Sequence, residues 1–221
     1  MKIFKAILVA MMILCIQNLK SQNILKPETV FSLYFNSFVK YDDDSVKELN
    51  SYLINFLGKD NTYRMNLRDA YNERVEYFTK IFLSNLPPDV ASECKKEAQD
   101  YFNVLVNNFK EGKYIIKSVK SVHNKYGQNE DLSEVVYEAS FKVPSDISGF
   151  EMGNIKTIDA GTIKKYLTDL TDHFKNSDKT ISVEHTFNLY EVKYGRDTYY
   201  WNGGPQELAW KLNEFYFKNI N

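Results

Sequence analysis

The side chains whose chemistry could set a function here are three histidines, two cysteines and one aromatic run. His185 stands in "TISVEHTFNLYEV", in phase with Ile181, Val183, Phe187 and Leu189. Strands send alternate side chains to one face, so His185 shares a sheet's apolar face. An imidazole there can act as a general base inside a pocket, or sit hydrogen-bonded at the rim of the core. Glu138 and Glu184 fall off that face, so neither is an evident partner. His173 lies beside Phe174 near a helix C-terminus, where a cation complements the dipole. His123 ends a strand. The three have no ligand spacing among themselves, and no metal site is expected.

Cys94 is a nucleophile only if its thiol meets an electropositive, partly exposed site. Lys95 and Lys96 adjoin it, but it shares a helical stripe with Ala98 and Tyr101, which predicts a buried, inert thiol. Asp42–Asp44 lack the alternating ligand spacing of a calcium loop and read as a solvated helix start. "TYYWNGGPQE" is the other place to look. Tyr199, Trp201, Asn202 and Gly203 are the candidate ligand-binding residues. Gly203 and Gly204 let backbone approach a ligand, and Pro205 opens a helix whose N–H groups favour an anion. Glu207 already supplies negative charge there. Alternation sets Tyr200 opposite Tyr199 and Trp201, so the rings form no single platform. The phosphate-loop, dinucleotide, serine-elbow and zinc-protease patterns are absent, so no cofactor is expected.

The elements that must position these residues change period halfway. Phe31, Tyr34, Phe35 and Phe38 stripe a helix starting near Pro27. Ser45 and Glu48 have capping-box spacing for a second helix, faced by Val46, Leu49, Leu53, Phe56 and Leu57. Leu67, Tyr71, Val75, Phe78 and Phe82 stripe a third. Cys94, Ala98, Tyr101, Leu105 and Phe109 stripe a fourth, which Gly112 ends. "YIIKSVKSV" from Tyr114 and the alternating Val135–Val143 then predict strands. A long irregular loop at 145–158 has the length of a lid or rim. Ile163, Tyr166, Leu167, Leu170 and Phe174 stripe a helix. Ile181–Leu189 and "TYYW" form a second hairpin. Leu208, Leu212, Phe215 and Tyr216 face inward on a last helix.

The expected fold is therefore α+β: an antiparallel sheet of about four strands packed by helices, with a helical N-terminal half. Its element order resembles cone-shaped α+β folds such as the cystatin-like and NTF2-like groups. No motif carries that likeness, and no family follows from it.

The chain opens with Lys2 and Lys5 before the apolar run Ala6–Ile16, then Gln17, Asn18, Lys20 and a small Ser21. That is the layout of a signal peptide over 1–21, cleaved near Ser21–Gln22. The run is about half the ~20 residues a spanning helix needs. Cys15 lies inside it behind Leu14, unlike a lipid-attachment cysteine. Residues 22–221 are expected as one α+β domain, mainly helical over 22–111, then sheet plus two helices over 112–221.

Removing Lys2, Lys5 and Lys20 from 28 basic side chains, and no acid from 29, moves the net charge from −1 to about −4. No basic run remains to neutralise phosphates, so no nucleic-acid partner is expected. Cys94 alone remains, so no internal disulfide forms. A composition 43% hydrophobic and 15% aromatic excludes a disordered chain. These features predict an exported binding module, without an enzymatic role, for an unknown protein or small-molecule ligand, with no membrane span after cleavage. The alternatives are a small hydrolase or isomerase built on His185, and a structural envelope protein.

Overall fold

The computed structural model describes residues 24–64, 67–124, 131–146 and 158–220. The leader with Cys15 and its cleavage point, and residues 147–157 of the expected lid, lie outside them. The described elements run α1 Pro27–Phe38, α2 Asp43–Leu57, a short 3-10 turn Lys59–Asn61, α3 Leu67–Ser84, α4 Pro88–Glu93 and α5 Lys95–Lys110. They continue with β1 Lys113–His123, β2 Asp131–Val143, α6 Ala160–Lys175, β3 Lys179–Tyr194, β4 Asp197–Trp201 and α7 Gln206–Lys218. All strand pairs are antiparallel, in the order β1-β2-β3-β4. The fold is α+β, with a helical N-terminal half and a four-stranded meander that α6 interrupts.

Two local details depart from the spacing argument. The capping residue of α2 is Asp42, not Ser45. Its carboxylate accepts the Ser45 N–H (3.3 Å) and the Ser45 hydroxyl. A charged acceptor at the positive end of the helix outcompetes a hydroxyl placed three residues inside it. The expected fourth helix is two, α4 and α5, meeting at Cys94 (φ −97°, ψ 3°). Cys94 still donates its N–H to Val90 O and accepts from the Ala98 N–H, each at 3.0 Å, so the chain bends while the apolar stripe continues.

α1 is the central helix. Val30, Phe31, Tyr34 and Phe35 are fully enclosed, and the Phe31 ring lies 4.7 Å from Tyr137 and 5.7 Å from Phe187 on the sheet. α7 covers β2 through Tyr216, whose ring is 5.5 Å from Phe141. Phe109 of α5 stacks flat on the same Phe141, 5.2 Å away and 8° from parallel. Gly112 makes that junction possible, because a Cβ there would overlap the Phe141 ring. A second apolar cluster joins α4, α5 and α6 through Leu86, Val90, Cys94, Ala98, Ile163 and Leu167.

Arg74 ties the helices together without a carboxylate partner among the described residues. Its guanidinium lies over the rings of Phe109 (5.2 Å), Phe78 (5.5 Å) and Phe217 (5.9 Å), where the aromatic faces supply negative potential. It donates to the Tyr41 hydroxyl (2.8 Å) and to Asn213 Oδ1.

The outer edge of β4 is sealed by tyrosines. The Tyr52 hydroxyl accepts the Tyr200 N–H at 2.7 Å, and the Tyr34 hydroxyl accepts the Asn202 N–H at 2.9 Å. The Tyr63 hydroxyl donates to the Asn202 carbonyl at 2.8 Å. Outward groups in an antiparallel strand recur every second residue, so two consecutive outward N–H donors are satisfied by side chains instead of another strand.

Candidate functional site

β4 pairs with β3 only from Tyr190 to Tyr194. Below that, β3 has β2 on one side and, among the described residues, no strand on the other. Where β4 leaves, the chain turns through Asn202, Gly203 and Gly204 into α7. This turn, the uncovered edge of β3 and the first turns of α7 enclose a cleft of about 120 Å³. Its polar groups come from all three elements: Thr186 and Asn188, Asn202, then Glu207 and Lys211, over a floor that includes Tyr137.

Asn202 organises the site. Its Nδ2 donates to the Asn188 carbonyl (2.7 Å), and its Oδ1 accepts the Gly204 N–H (2.8 Å). The tyrosine pair described above holds its backbone. Gly203 lets the Trp201 ring fold over the turn, since a Cβ there would already stand 3.3 Å from Trp201 Cζ3. Glu207 and Lys211, one helical turn apart, form an ion pair of 2.8 Å at the mouth. Both side chains are about half exposed or more, so this pair adds little stability and is free to exchange partners.

The sequence candidates separate around this cleft. Asn202 lines it, and Gly203 belongs to the same turn. Trp201 is half-buried against Tyr190, ring centroids 5.7 Å apart, on the strand above. Tyr199 is fully enclosed, its ring 4.7 Å from Phe56 and 5.8 Å from Tyr52. His185 is half-buried, opposite Tyr137 in register, with ring centroids 6.5 Å apart. Burial holds its imidazole below the usual histidine range, and the nearby Lys211 ammonium adds to that. Among the described residues, no carboxylate or hydroxyl hydrogen-bonds this ring to orient it as a base.

The remaining candidates lie elsewhere. Cys94 is enclosed with its Sγ 3.5 Å from the Ala160 carbonyl, and burial pushes the thiol up. His123 lies at the β1–β2 hairpin, Nδ1 3.5 Å from an Asp131 oxygen. His173 occupies the last turn of α6 and lines a groove of about 360 Å³ with Asp146, Asp172 and Asp178. Asp178 is already committed there: it accepts the Ser145 hydroxyl (3.0 Å) and N–H (2.8 Å), bonds that hold its carboxyl below the usual range. Among the described residues, no three histidine, cysteine or carboxylate side chains converge as metal ligands. No described helix is long and apolar enough to cross a membrane.

Spacing alone marks two further residues near the site that carry no motif. Lys211 follows Glu207 by four, the geometry of a helical ion pair. Trp210 lies two positions from Leu208, about 200° around the helix, opposite the buried stripe. It is 69% exposed. No family model matches the chain, and comparison with curated proteins and with solved structures finds no match.

Proposed function

We propose that this protein is an exported binding module that engages a partner polypeptide at the cleft between β3, the Asn202 turn and α7. The carrying observation is the convergence there of polar groups from three elements beside an edge of β3 that no described strand covers. The leader layout supports export. The His185 reading is less favoured, because its imidazole has no orienting hydrogen bond among the described residues and its basicity is lowered by burial.

The test is site-specific photo-crosslinking in an extract of the native cells. A photoreactive residue at position 188 is expected to form a discrete adduct with a protein. The same residue at the exposed position 96, on α5, is expected to form none. No adduct at 188, or equal labelling at both positions, overturns the reading.

A further inference from the structure

Sheets avoid pairing with foreign strands by placing lysines, prolines, bulges or covering groups along their edges. Two of the edges here follow that rule. β1 carries Lys113, Lys117 and Lys120 and a bulge between Ile116 and Ser118. β4 is capped by tyrosine hydroxyls. The stretch Thr180–Asn188 of β3 has no lysine and no proline, and its register with β2 runs unbroken. Thr180, Ser182, Glu184, Thr186 and Asn188 are all exposed.

The direction of its backbone groups follows from one contact. The Asn202 amide reaches the Asn188 carbonyl from the side opposite β2. With a period of two, the N–H and C=O of Thr186, Glu184 and Ser182 point the same way, and no described residue bonds to them. β3 thus presents an open lane that continues the one β4 fills higher up.

The lane also has a charge preference. Glu184 lies directly across from Glu138 of β2. This is a pair whose backbone groups point apart, the close kind of antiparallel pair, and like charges placed so repel. Lys117 of β1 neutralises Glu138 at 3.1 Å. Glu184 has no ion-pair partner among the described residues. A cation arriving in the open lane would complete an alternating row: Lys117, Glu138, Glu184, cation.

We infer that the Thr180–Asn188 edge of β3 receives an extended segment of a partner polypeptide as an added strand, with a lysine or arginine at the rung facing Glu184. The inference rests on the binding-module reading and specifies its ligand. Backbone bonds along the edge supply affinity, and the Glu184 rung supplies selectivity. A second copy of this chain fits less well, since pairing centred on Glu184 would set two carboxylates opposite each other.

The experiment uses the leader-free chain and two short fluorescein-labelled peptides of alternating threonine and valine, one with a central lysine and one with a central glutamate. Fluorescence anisotropy is expected to show the lysine peptide binding about tenfold more tightly, the swing from attraction to repulsion at one cross-strand pair. Glu184→Lys should reverse the preference. Thr186→Pro removes an N–H that β2 does not use, so it should abolish binding of both peptides and leave the melting curve in place. Should Thr186→Pro fail to fold, the Glu184→Lys reversal still decides.

Equal affinity for the two peptides, binding retained by a folded Thr186→Pro, or a concentration-dependent dimer in sedimentation would each overturn the inference. The position-188 crosslink separates this failure from that of the broader reading. An adduct that Lys211→Ala removes and Thr186→Pro does not would leave the cleft standing and discard the lane. Loss of the adduct altogether discards both.

Discussion

β3 and β4 both end the sheet on the same side, at different heights, and they treat that exposure in opposite ways. At β4, helices α1 and α2 bring tyrosine hydroxyls onto the outward N–H groups. Along β3 the outward backbone groups of Ser182, Glu184 and Thr186 meet no described residue. The sealed edge is tied to the core, since Tyr34 is fully enclosed and the Tyr52 ring lies against the buried Tyr199. The open edge lies on a strand already fixed by twelve consecutive register pairs with β2. A strand held from one side can leave its other side available; a five-residue strand at the margin cannot.

The largest test of this contrast removes the support beneath both edges. Deleting residues 205–221 takes away Leu208, Leu212 and Tyr216, each buried. At about 1.5–3 kcal/mol per large apolar side chain, the loss rivals a domain's net stability of about 5–15 kcal/mol. The truncated chain should lose its cooperative melting transition by circular dichroism. A folded truncation would show that α7 does not hold the sheet.

Alkali should act next, through the sealed edge together with the buried Tyr101, Tyr137 and Tyr216, whose hydroxyl pKa values burial also raises. Burial raises the hydroxyl pKa values of Tyr34, Tyr52 and Tyr63 above the ordinary tyrosine range. An unfolded tyrosine ionises near pH 10, while the folded one must stay protonated. A raised folded pKa gives stability that is complete below about pH 10 and lost as pH climbs beyond it. Melting temperatures measured from pH 8 to pH 11 should fall steeply at the top of that range. A fall of the same size in Tyr52→Phe as in the unaltered chain would mean the seal hydroxyls do not contribute.

Single substitutions then distinguish the edges. Tyr52→Phe leaves the Tyr200 N–H without its acceptor, and Tyr34→Phe does the same to Asn202. Each should cost about 1–3 kcal/mol in urea unfolding, the penalty of a donor left unsatisfied. Ser182→Lys on the open edge should change stability by less than about 0.5 kcal/mol. Comparable costs at both edges would mean that β3 depends on its outward groups as β4 does.

The class of the fold was legible because period is a local property. Phe31, Tyr34, Phe35 and Phe38 announce a helix, and Val135 to Val143 a strand, without reference to anything distant. The Tyr34 and Tyr52 hydroxyls were not legible. Helical spacing counts Tyr34 as apolar stripe and leaves Tyr52 off the second helix's apolar face, and their acceptor role depends on backbone 168 and 148 residues further along. The Cys94 bend was hidden because a bend that preserves the stripe leaves no trace in it. At the candidate site, the Asn202 turn stood out by composition and His185 by phase. The cleft did not, because Thr186, Asn188 and Lys211 are ordinary surface residues until the chain brings them together. Tyr199 and Trp201 looked equivalent by alternation. Packing of α2 along the edge encloses one and leaves the other half exposed.

The tyrosine seal also imposes an order of events on the chain as it is made. Residues 34, 52 and 63 emerge early, yet their partners at 200 and 202 follow 139 to 168 residues later. Until then the tyrosine hydroxyls of the first helices have no edge to close upon. Contacts of such sequence separation form slowly, because a long loop must close before any bond repays it. The seal therefore closes only once residues 200–202 are available, and a chain interrupted before them exposes unsealed surface to chaperones or proteases.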